Sequence, residues 1–347
     1  MDPIAIFESA YALTGTESEW ITALGQVIRS NWEDDRWLLA WTFDARQPEV
    51  ARARVCCGYD EAQAFAGMRQ LFAPMWDYQP REPFWRMNMV GTLRGAPARY
   101  RRMGVDEPRV REFERVLESC LCEWRLDDEL WITASDPTGL GCCIIAPMRR
   151  RGPLGAPEKH RWSCIAAHVQ AAFRIRRQFS AHAPTALEDP ALAPEAILGP
   201  DGKLHHAEQP ATHERARTAL RRAVRAMDRA RGSLRRSNAD EAVAMWRALV
   251  DGRWSLLDHF DSDGRRFVVA HRNDARVTDV RGLTLRERQV LGYAGLGHSN
   301  KVIAYELGLS TSTVSTHLAR ARRKMRLPLG VALNLTVSGQ SENAEVP

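Results

Sequence analysis

The stretch that most restricts the fold of this 347-residue chain is residues 283–325, LTLRERQVLGYAGLGHSNKVIAYELGLSTSTVSTHLARARRKM. It divides into three short helices. Thr284, followed three residues on by Glu287, is a capping box, so a helix begins at Leu285. Val290, Leu291 and Ala294 give it an apolar face, and Gly297 can stop it in the left-handed conformation. Ser299 caps a second helix over 300–307, with Ile303, Ala304 and Leu307 turned inward. Gly308-Leu309-Ser310 is a tight turn of the length that joins paired helices. Ser310 then caps a third helix running to about Met325.

Val314, Leu318, Ala321 and Met325 recur every three or four residues and form the third helix's buried stripe. Ser312, Ser315, Thr316, Ala319, Arg320 and Arg323 lie opposite, small or polar near the N-terminus and basic towards the C-terminus. A helix of that kind suits the DNA major groove: hydroxyls reach base edges and arginines reach phosphates. Its unpaired N-terminal N–H groups, near Ser310 and Thr311, can meet a phosphate.

Spacing and identity together carry a family resemblance. Leu283-Thr284, Arg286-Glu287-Arg288, Val290-Leu291, Gly297, Ser299-Asn300-Lys301, Ile303-Ala304, Leu307, Ser310, Thr313-Val314, His317 and Lys324 make the segment resemble the LuxR/GerE-type DNA-binding domain of bacterial transcription regulators. The resemblance implies that 310–325 is the recognition helix and that Asn300 and Lys301 sit near the DNA backbone. Family members often carry a Lys or Arg among the positions filled here by Ser315, Thr316 and Ala319, so base preference is this chain's own. A fourth helix, often the dimer contact in the family, is expected after Met325. Pro328, Gly330, Val331, Thr336 and Val337 weaken it. A plain three-helix bundle and the related helix-turn-helix of sigma-factor region 4 are the alternatives; His317 and Ser299-Asn300-Lys301 favour the LuxR type.

Charge placement agrees with a nucleic-acid partner. Residues 281–326 hold nine Lys/Arg against two Glu, and residues 213–236 nine Arg against Glu214 and Asp228. Each stretch is net +7 while the whole chain is +6, so the remainder is acidic. All seven cysteines fall between Cys56 and Cys164. Their odd number, adjacent pairs and lack of a preceding secretion signal argue for buried reduced thiols, with redox or metal sensing as the alternative. No apolar run is long enough to span a membrane, which implies a cytoplasmic protein.

Upstream, helical spacing covers Ile4–Leu13 and Trp20–Ile28, with Thr16 and Glu19 as a cap between them. Strands are expected over 37–43 and 53–59, helices over 60–71 and 109–121, and a hairpin pairing 129–135 with 141–148. A long helix follows over 159–179, with Ile165, Val169, Ala172 and Phe173 on one side. This α+β order resembles the GAF sensor fold. Nine of the eleven tryptophans lie here, for core packing or for an aromatic-lined ligand pocket. After a linker, a hairpin over 196–207 resembles the opening of a PAS module. It continues with an arginine-rich helix over 213–231, a helix over 240–249, and a hairpin of 253–260 with 265–271. The arginine-rich helix packs on its own sheet, dimerises or touches DNA.

The expected architecture is therefore multidomain α+β. It has a GAF-like sensor at 1–182, a linker at 183–194, a PAS-like module at 195–274, an all-α helix-turn-helix domain at 278–337 and a disordered tail at 338–347. Phosphate-loop, zinc-protease, hydrolase-elbow and dinucleotide motifs are all missing, so no enzyme, cofactor or metal is expected. The expected partners are double-stranded DNA, RNA polymerase indirectly, a second copy of the chain and an effector of unknown kind. A scaffold acting through protein contacts and a sigma-like promoter reader are the rival functions.

Overall fold

The computed structural model describes residues 1–44, 53–75, 89–102, 104–135, 140–181, 193–246, 248–250, 253–272, 283–295 and 298–325. The turn expected at 136–139, the stop at Gly297, the weakened fourth helix and the tail lie outside these residues.

Two helices open the chain. Asp2 caps α1 (Pro3–Ala10) by accepting from Ile4 N and Ala5 N. Thr16 and Glu19 close the expected capping box on α2 (Glu17–Asn31). The first sheet comprises β1 (Leu38–Asp44), β2 (Arg54–Cys57), β3 (Met89–Thr92), β4 (Asp128–Ser135) and β5 (Leu140–Met148). Between them lie α3 (Glu61–Phe72), α4 (Ala96–Arg102) and α5 (Glu107–Glu123). All pairings are antiparallel, in the order β2-β1-β5-β4-β3.

Both faces of this sheet are covered, which explains why its strands read as unbroken apolar runs. Leu38, Ala40, Leu130, Ile132, Cys142 and Ile144 pack on one face, under α1, α2 and the long α6 (Ala156–Ala181). Leu39, Trp41, Trp131, Cys143 and Ile145 pack on the other, with Leu71 of α3, Tyr100 of α4 and Phe113 of α5. Aromatic contacts lock the first layer: Trp20 stacks on Phe173 at 5.6 Å and Trp32 meets Trp162 edge-on at 5.2 Å.

The second sheet comprises β6 (Ala196–Leu198), β7 (Leu204–Ala207), β8 (Leu249–Val250), β9 (Trp254–Phe260) and β10 (Arg266–Arg272). Its order, β7-β6-β10-β9-β8, repeats that of the first sheet: second strand, first, fifth, fourth, third. Helices α7 (Glu214–Arg229) and α8 (Ala239–Met245) lie between its second and third strands. Ala216, Leu220, Ala223 and Met227 of α7 join the same apolar cluster as the strands, while Arg222, Arg225 and Arg229 face solvent. The helix expected over 240–249 stops four residues early. Trp246 turns into the core against Phe7, and Leu249 and Val250 pair with β9 instead.

One apolar cluster runs through both sheets and the helices between them. Helix α6 is the shared beam, and it departs from expectation. Rather than one apolar side, every side is covered from Cys164 to Arg176, His168, Gln170, Arg174 and Arg176 included. At 26 residues it is about 39 Å long, enough to touch both sheets. Its far end, at Ile175 and Phe179, packs on Leu257 and Val269 of the second sheet. Ion pairs fasten the same junction: Arg235 meets Asp2 at 2.7 Å, Arg231 meets Glu8 at 3.1 Å, and Arg161 meets Asp240 at 2.6 Å.

All seven cysteines are free thiols, but not all are buried. Cys120, Cys142, Cys143 and Cys164 are, Cys56 and Cys57 are half-buried, and Cys122 is exposed because it falls on the outer side of α5. Among the described residues no helix is long and apolar enough to cross a membrane, and no three His, Cys, Asp or Glu residues are grouped to hold a metal.

Candidate nucleic-acid interface

The C-terminal segment forms α9 (Leu285–Gly295), α10 (Asn300–Leu307) and α11 (Thr311–Met325). Each start is set by a local cap, as the sequence indicates. Thr284 N donates to Glu287 at 2.8 Å and Glu287 N to Thr284 Oγ1 at 3.3 Å. Val302 N donates to Ser299 Oγ, and Thr313 N to Ser310 Oγ. Gly308 ends α10 at φ +63°, a left-handed turn that favours glycine. The helices close on Val290, Tyr293, Ile303, Leu307 and Val314, with Leu291 and Ala321 in an adjoining cluster. Lys324 Nζ reaches back to Glu287 Oε2 at 2.7 Å, tying α11 to α9. That contact, with the Thr284 bonds, holds the Glu287 carboxyl down at about 2.

The structure brings the sequence-selected residues to one side. Ser310, Thr311, Ser312, Ser315, Thr316, Ala319, Arg320 and Arg323 are all exposed, as are Asn300 and Lys301 at the start of α10. Asn300 Nδ2 donates to Ser315 Oγ at 3.1 Å, so the two helix starts are coupled. Thr316 Oγ1 donates within its own helix to Ser312 O at 2.9 Å, which leaves that hydroxyl free to accept. Ser315 Oγ has the complementary freedom, because it accepts from Asn300 and can still donate. Arg320 and Arg323 pair with no carboxylate among the described residues.

The opposite side of α10 is packed against α6, and sequence reasoning did not foresee this. A directed chain of hydrogen bonds crosses the contact. Tyr305 O–H donates to Val243 O at 2.7 Å, and a carbonyl can only accept. His168 Nε2, 2.8 Å from the Tyr305 oxygen, is therefore the donor there. His168 Nδ1 then accepts from Tyr11 O–H at 2.9 Å. The ring is neutral in this arrangement, and burial pushes its pKa down to about 3, which keeps it so. Gln170 Nε2 donates to the fully buried Glu306, and Arg174 donates to Tyr293 OH at 3.2 Å. The only sequence signal was the density of polar residues on an otherwise apolar helix: His168, Gln170, Arg174 and Arg176.

With this geometry in place, the comparisons with known proteins are specific. Residues 281–333 match the family of bacterial regulatory proteins of the luxR type. This segment is a LuxR-family helix-turn-helix domain. The HTH-type transcriptional regulator MalT of Vibrio campbellii is 32% identical over 96 residues, covering 28% of this chain and 10% of that protein. MalT of Vibrio cholerae is 36% identical over 69 residues, covering 20% and 8%. The chain thus spans about a tenth of the length of the curated relatives it matches. No solved structure matches. The likeness falls on the LuxR-family domain, and the body that holds it through α6 is described by its own contacts.

Proposed function

We propose that this chain is a cytoplasmic, sequence-specific DNA-binding transcription regulator whose LuxR-family domain is held and controlled by the two upstream modules. One observation carries the reading. The exposed side of the domain bears hydroxyls followed by carboxylate-free arginines along one helix, while its other side is buried in the protein's own body. On this reading Lys301, Arg320 and Arg323 contact phosphates, with Asn300 and the α11 start at Ser310 and Thr311 setting register. Ser312, Ser315, Thr316 and Ala319 face base edges, Ser315 as a donor and Thr316 as an acceptor. A single helix reads few base pairs, so the protein acts on DNA as a dimer and influences RNA polymerase from the bound site. The shared strand order of the two sheets supports reading them as GAF-like and PAS-like sensory modules, with 183–194 as the link between them.

The test is selection of fragmented genomic DNA on the full-length chain, followed by sequencing of the bound pool. One enriched motif with two related halves is expected, together with two copies of the chain per site by light scattering. A bound pool no different from the input, at every salt concentration tried, would overturn the reading.

A further inference from the structure

Between α3 and the outer face of the first sheet lies a partly open cavity. It lies well away from α11, across the first sheet from the face that α6 covers. Its walls are largely apolar: Trp37, Trp124, Trp131, Met68 and Leu71 line it, with the half-exposed Tyr59. Glu129 is the one charged side chain among its lining residues.

Glu129 is only 4% exposed, and no cation pairs with it among the described residues. Trp131 Nε1 donates to its Oε2 at 2.9 Å, and among the described residues no donor meets Oε1. Leaving a carboxylate this dry with a single neutral donor is costly. Burial raises its pKa to about 7, the response of a carboxyl that lacks a counter-charge. A buried carboxylate facing an aromatic-walled cavity is suited to receive a ligand's positive charge: the carboxylate neutralises it and the indole faces stabilise it.

We propose that this cavity binds a small organic amine, its ammonium group against Glu129 and its apolar body between Trp37, Trp124 and Met68. The exposed Tyr59 gives its path of entry. That occupancy would alter DNA binding rests on the regulatory reading above; the binding does not, and it is measured without DNA.

The experiment uses the full-length chain, with phenethylamine and tryptamine as cationic probes. 2-Phenylethanol and tryptophol, which replace the ammonium with a hydroxyl, are the neutral controls. Calorimetry and the shift in melting temperature report binding. At least one amine should bind saturably, and at least about tenfold more tightly than its alcohol. Glu129→Gln keeps the acceptor for Trp131 and the side-chain volume, so the protein should fold while the preference for the amine disappears. Gly67→Ala tests the walls without touching the charge. A Cβ there meets the Trp124 ring at 2.8 Å, so the indole must shift and amine binding should weaken several-fold, while the helix itself favours alanine. Absence of saturable binding by either amine up to about 10 mM would overturn the proposal. So would equal binding of amine and alcohol, or a preference that survives Glu129→Gln.

Discussion

The two sides of the LuxR-family domain use similar residues to opposite ends. On α11, Ser312, Ser315, Thr316 and Arg323 stay in water. On α10, one short helix away, Tyr305 and Glu306 are drawn against α6, where His168 and Gln170 receive them. Residue type does not separate these outcomes; the availability of partners does. Burying a polar group without a partner costs about 1–3 kcal/mol, so the docked side depends on the pairings that Tyr305, Glu306 and Tyr293 make with α6. The exposed side makes no such demand and tolerates change.

That contrast can be broken most severely at Gln170. Gln170→Leu removes a donor from the buried Glu306 carboxylate, and we expect a loss of about 2–4 kcal/mol in chemical denaturation. Loss under about 0.5 kcal/mol would mean that the docked side is as tolerant as the exposed one. Tyr305→Phe is gentler. It leaves the His168 Nε2–H without its acceptor and takes one of two donors from Val243 O, which keeps Trp246 N, for about 1–3 kcal/mol in chemical denaturation.

Acid sharpens the picture inside the domain. Glu287 is held down at about 2, below its unfolded value of roughly 4.3. Its contribution is fully present above the unfolded value and is lost as pH falls through the range down to about 2. Lys324→Ala should raise the folded value and move the acid-unfolding midpoint of the domain upward, as followed by circular dichroism. An unchanged midpoint would show that the contact contributes nothing.

The exposed side should respond in binding and not in stability. Arg323→Ala is expected to leave the unfolding curve within about 0.5 kcal/mol, weaken binding on all DNA sequences alike, and lower the salt slope by about one. The smallest effect is expected from Thr316→Ala, a relaxed preference at one base step with little change elsewhere. Equal losses on every sequence from both substitutions would contradict the division between phosphate and base contacts.

Much of the architecture is written locally. The capping boxes at Thr16 and Thr284, the hairpin of β4 with β5, and the three C-terminal helices depend on residues a few positions apart, and each stands where its signal lies. The candidate interface is legible for the same reason, because helical period alone sorts Val314 and Ala321 inward from Ser315 and Arg323 outward. Where a local pattern competed with a distant partner, the partner prevailed. The apparent helix over 240–249 yields Leu249 and Val250 to β9, and Trp246 to the core beside Phe7.

The burial of α6 on all sides has no local signature. His168 meets Tyr305 across 137 positions of chain, Gln170 meets Glu306 across 136, and Arg174 meets Tyr293 across 119. Glu129 reads as one more charge on a strand until α3 closes a cavity over it. Spacing and caps specify elements because their forces act over one or two turns. Which polar side chains are hidden, and which are left facing water or a cavity, depends on pairings between segments that meet only after the chain has folded.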